Sequence, residues 1–142
     1  MSTEEDNKAM VRHAVELWNK RDLDGFFLML APEYVEHLPT GDVSKEQLAK
    51  YAHTFFTAFP DIRFKIKELI AEKNKVAVLI NWKATHQGEY LGITATNKKI
   101  DISVAIIVRI EGGNWVEFWN VTDMQLLQQL GTVPKGKAYP LK

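Results

Sequence analysis

Val11, Ala14, Val15 and Trp18 fall at i, i+3, i+4 and i+7, the spacing of one helical face. Ser2 or Thr3 can cap this helix, and Glu4, Glu5 and Asp6 suit its positive end. The pattern breaks at 19–22. Leu23, Phe26, Phe27 and Leu30 then predict a short second helix that stops at or just before Pro32. Residues 34–41 follow neither period, and Pro39 and Gly41 punctuate them, so an irregular link is expected there. A third helix is predicted from Ser44, where Ser44-x-x-Gln47 matches a capping box. Its stripe is Leu48, Tyr51, Ala52, Phe55 and Phe59, and Pro60-Asp61 stops it.

From Ile62 the period changes from 3.6 to 2. Ile62, Phe64 and Ile66 alternate with charged residues, and after a turn at Asn74 so do Val76, Val78, Ile80 and Trp82. A connection at 87–99 leads to a strand over about 100–110. A Gly112-Gly113 turn leads to another over about 115–122. Asp123 reads as the N-cap of a short last helix ending at Gly131. The strand at 115–122 groups Val116, Phe118, Asn120 and Thr122 on one face. Helices followed by antiparallel strands predict an α+β fold of one domain over 1–142, with its core at about 8–131 and a surface tail at 132–142.

Charge narrows the function. Eighteen basic and 18 acidic residues cancel and are interspersed, which disfavours a nucleic-acid partner. No run approaches the ~20 apolar residues of a membrane helix. The acidic start does not read as a signal peptide, so a cytoplasmic protein is expected. The absence of cysteine removes thiolate chemistry and disulfides. The four histidines (13, 37, 53 and 86) have no metal-ligand spacing, so no metal is expected. Neither glycine-rich segment makes a phosphate cradle.

Several stretches together resemble the SnoaL-like polyketide (ester) cyclases of the nuclear transport factor 2-like superfamily. They are Tyr34-Val35-Glu36-His37-Leu38-Pro39, Ala58-Phe59-Pro60-Asp61, Thr85-His86-Gln87-Gly88-Glu89-Tyr90-Leu91-Gly92-Ile93 and Glu117-Phe118-Trp119-Asn120-Val121-Thr122-Asp123. The resemblance implies a cone-shaped barrel, with a strongly curved antiparallel sheet covered by the three N-terminal helices and a short C-terminal helix. It also implies a small-molecule pocket, homodimers through the outer sheet face, and ring closure by an aldol reaction without a cofactor. The family's acid/base aspartate falls on Asn120, and the histidine often paired with it on Ile106.

The expected function is therefore a cyclase, isomerase or dehydratase acting on a small apolar carbonyl ligand. Asn120 would polarise the carbonyl. Asp123 or His37 would move the proton, the latter because a histidine at that place in the family borders the cavity. Trp18, Tyr34, Tyr51, Phe55, Phe59, Trp82, His86, Ile106 and Phe118 would line the pocket. The alternative is a non-catalytic ligand-binding or dimerisation module, suggested by Asn120 and Ile106.

Overall fold

The computed structural model describes residues 3–38, 41–121 and 125–131. In chain order the elements are α1 Thr3–Asn19, α2 Leu23–Phe27, β1 Leu30–Leu38, β2 Gly41–Ser44, α3 Lys45–Ala58, β3 Arg63–Glu72, β4 Lys75–Thr85, β5 Lys99–Glu111, β6 Asn114–Val121 and α4 Gln125–Leu130. The six strands form one sheet in the order β2-β1-β6-β5-β4-β3. Every neighbouring pair is antiparallel except β1 and β6, which run parallel.

Three expectations are corrected by this topology. The irregular link at 34–41 is in fact most of β1 and the start of β2. The sheet is mixed rather than antiparallel. The third helix follows a β1–β2 hairpin, so the helices do not all precede the strands. Pro32 does not end a helix; it lies near the start of β1, where the pairing with β6 shifts register between Leu30 and Val35. A residue with no N–H is tolerated at such an irregularity. Beyond it Tyr34 and Glu36 are buried while Pro32 and Glu33 are exposed, so the strand turns one face inward.

Helix α3 begins as its cap predicts. Gln47 N donates to Ser44 Oγ at 3.2 Å, and Ser44 N donates to Gln47 Oε1 at 2.9 Å. The expected caps Ser2 and Asp123 and the tail at 132–142 lie outside the described residues. Helix α1 packs on β3 and β4, α3 on β1 and β2, and α4 on β5. Their apolar stripes bury one face of the sheet, here the inner face. Val76, Val78, Ile80, Trp82 and Ala84 of β4 point inward, as do Ile100, Ile102, Val104 and Val108 of β5.

The β4–β5 connection is held against the end of α3. Gln87 N and Gly88 N both donate to Ala58 O, at 2.9 and 3.1 Å. This approach needs glycine, because a Cβ at Gly88 would lie 2.4 Å from Thr57 O. The docking brings Tyr90 against Phe59, with ring centroids 5.3 Å apart.

Candidate functional site

Strand register sorts the inner face into rows that cross the sheet. One row runs Val76, Val108, Phe118 and Glu36, from β4 to β1. The next runs Val78, Ile106 and Asn120. Glu36 and Asn120 therefore stand in adjacent rows on the bonded strands β1 and β6. The alternation expected for β6 holds at Phe118 and Asn120. At the strand's start the register slips between Arg109 and Ile110, and Trp115 is buried there in place of Val116.

Glu36 is 8% exposed and is the one carboxylate buried among the described residues. Tyr34 Oη donates to its Oε1 at 3.0 Å. Burial in apolar surroundings raises the Glu36 pKa, and the Tyr34 hydrogen bond opposes that rise. Across from it, on α3, Tyr51 Oη shares a hydrogen bond of 2.8 Å with Tyr90 Oη. Burial, the Tyr90 phenol and the Glu36 carboxylate push the Tyr51 pKa up. Burial likewise raises Tyr34 and Tyr90, so these three phenols keep their protons. Alternation at 34–36 is the sequence signal for Glu36, but Pro32, Pro39 and Gly41 around it mask the strand.

The expected lining residues divide into two groups. Phe55 meets Tyr51, Phe59 and Trp82, at 5.7, 5.2 and 5.4 Å between ring centroids. His86 joins them through Phe59 at 5.5 Å. Its ring is 0% exposed. The Thr96 backbone N–H donates to His86 Nδ1 at 3.1 Å, which puts the imidazole proton on Nε2. That Nε2 has no hydrogen-bond partner among the described residues. Trp18 lies apart, packed with Phe26, Phe56 and Phe64 between α1 and its neighbours.

His37 lies on the opposite face of the sheet, contrary to the expectation that it borders an interior cavity. Successive strand residues point to opposite sides, so Glu36 inward means His37 outward. Its Nε2 is 2.6 Å from Glu117 Oε2 and its Nδ1 is 2.8 Å from Asp42 Oδ1. Its ring stacks on Trp119 at 5.4 Å. Arg109 Nε donates to Glu117 Oε1 at 3.0 Å, and Arg109 also pairs with Glu111. A charged row thus crosses β2, β1, β6 and β5. The Glu117 and Asp42 hydrogen bonds raise the His37 pKa, while the His37 and Arg109 hydrogen bonds lower that of Glu117.

Beside this row the outer face is apolar. Ile70, Leu79 and Ile107 are exposed, and with Ala77, Ala105 and Trp119 they line a groove of about 400 Å³. Asp123 lies outside the described residues. Among the described residues, no three His, Cys, Asp or Glu side chains gather to hold a metal ion, and no helix is long and apolar enough to cross a membrane.

The family model of the SnoaL-like polyketide cyclases matches residues 8–130. No curated protein matches the sequence. AclR from Streptomyces galilaeus, titled "a putative hydroxylase", is 32% identical with a TM-score of 0.86, and the match covers 93% of this chain and 100% of that one. A "putative polyketide cyclase" from Acidithiobacillus ferrooxidans is 28% identical with a TM-score of 0.76, covering 92% and 97%. TsrD from Streptomyces laurentii, at 21% identity, shares the fold with a TM-score of 0.81, covering 94% and 100%.

Proposed function

Since this chain belongs to the SnoaL-like polyketide cyclase family, we propose that it is a cytoplasmic small-molecule enzyme of the cyclase, isomerase or dehydratase type. It acts on an apolar carbonyl compound by acid/base chemistry without a cofactor. The observation that carries this reading is the setting of Asn120. It is an amide in the row of Val78 and Ile106, beside the row that holds Phe118 and Glu36.

An amide N–H aimed at a carbonyl oxygen stabilises the charge that gathers there when a neighbouring C–H bond breaks. The apolar wall favours an uncharged guest, and the rings of Phe55, Phe59 and Trp82 favour a flat one. The cone-like enclosure that holds the guest is part of this proposal. Asp123, three residues beyond Asn120, is one candidate for moving the proton. A second copy of the chain seated on the apolar outer face completes the proposed assembly.

The test is α-proton exchange of 2-tetralone, a flat apolar ketone, in D2O followed by NMR. The enzyme should accelerate exchange, and Asn120→Leu should lower the rate by about 100-fold or more. Saturable binding with no exchange would favour the non-catalytic module, which Asn120 at the family's aspartate position also suggests. Neither binding nor exchange would sink both readings.

A further inference from the structure

We propose that Glu36 is the catalytic acid/base of this site, taking and returning the substrate's α-proton from β1. This rests on the carbonyl reading above and moves the proton-transfer centre away from the end of β6.

A carboxyl group set in an apolar wall is costly unless it is well paired. Among the described residues the hydrogen bond that Glu36 receives comes from Tyr34, to Oε1, and no cationic side chain pairs with it. A residue kept for packing alone would be better served by leucine or glutamine there. Tyr34 Oη can donate to the carboxylate or to the carbonyl oxygen of the neutral acid, so the proton can leave and return without rebuilding the contact. The groups facing Glu36 are phenols, Tyr34 from its own strand and Tyr51 from α3. Strand β1 is hydrogen-bonded on both sides, to β2 and β6, which gives the carboxyl a rigid mount. The raised pKa brings the group toward neutral pH, where proton transfer in both directions is most effective.

In the step itself, the Glu36 carboxylate removes a proton from the carbon next to the carbonyl. The C–H electron pair becomes the new C=C bond, and the carbonyl π pair moves to the oxygen held by Asn120. The enolate then re-forms its C=O as its carbon either attacks a second carbonyl carbon of the same molecule, closing a ring whose new alkoxide takes the proton from the Glu36 carboxylic acid, or takes that proton itself. Both routes balance without an oxidant or a reductant.

The test uses the full chain and 2-tetralone exchange across pH, with thermal melts of every variant. Glu36→Gln should lower exchange by about 100-fold or more while still melting cooperatively. Glu36→Asp should recover part of the rate. Tyr34→Phe should move the acidic limb of the pH profile upward, because it removes the bond that lowers the Glu36 pKa. A purely structural role would leave that limb in place. If the wild type exchanges and Glu36→Gln exchanges equally well, Glu36 is not the acid/base, and the carbonyl reading stands without it. If the folded wild type fails to exchange, the carbonyl reading falls and takes this assignment with it.

Discussion

The Tyr34 hydroxyl donates to Glu36 Oε1 across 3.0 Å, two residues apart on the inward face of β1. That single bond does not offset the burial of the carboxyl, whose pKa is raised. The folded chain therefore holds this proton more tightly than the unfolded chain. The associated stability is fully present below the unfolded value, about 4.3, and is lost as pH rises through the folded value. Glu36→Gln has no proton to lose there. Its melting temperature should pull ahead of the wild type's as pH is raised, with the gap smallest in acid. Parallel melting curves across pH would show that Glu36 is not desolvated in the fold.

His37 and Glu117 shift in opposite directions. The Glu117 contribution is present above its unfolded value and is lost as pH falls through the lowered folded value. The His37 contribution is present below about 6.5 and is lost as pH rises through the raised folded value. The pair is thus worth most in a window around weakly acid pH. His37→Ala should cost up to about 1 kcal/mol there, and less at alkaline pH. Urea melts at the two pH values measure the difference, and an equal cost at both would assign the loss to the stacking on Trp119 alone.

Gly88 lies where a methyl group would overlap the carbonyl of Thr57. Gly88→Ala should cost about 1–3 kcal/mol by forcing the connection off the end of α3. Hydrogen exchange should quicken at the Gln87 and Gly88 amides, which now bond to Ala58 O. Unchanged protection at both amides would mean the contact relaxes without loss.

Ile107 is 42% exposed and lines the outer-face groove. If a second copy covers that face, Ile107→Lys should convert dimer to monomer in analytical ultracentrifugation. Its effect on the monomer's own packing should be small, because surface substitutions usually shift stability by less than about 0.5 kcal/mol. A wild type that sediments as a monomer would rule the dimer out.

The third helix was legible down to its capping box, and β3 to β6 to within a few residues, because their signals are local. Periodicity and turn glycines lie within the segment they describe. Strand β1 was not legible. It pairs with β6, some eighty residues away in sequence and in parallel, and no local pattern encodes such a partner. Pro32 adds to the ambiguity, since the same residue type marks a helix end and a strand irregularity. The site suffered accordingly. Alternation along β6 groups Asn120 with Phe118, and the family resemblance turns that face toward the pocket. The inward address of Glu36 and the outward one of His37 follow only from strand β1, whose local signal is masked; the family resemblance alone turns His37 inward.

The charged row across the outer face carries a consequence for the buried carboxyl beneath it. Glu36 and His37 are neighbours in the chain with opposite addresses, and a slip of one residue would exchange them. That slip would bury an imidazole flanked by acids and leave Glu117 and Asp42 without their shared partner. The outer ion pairs thus act as an alignment key for the interior. Many single replacements along β1 should be tolerated on their own face. A one-residue deletion in it should abolish the site outright, because it would turn the acid to solvent while leaving every residue of the cluster present.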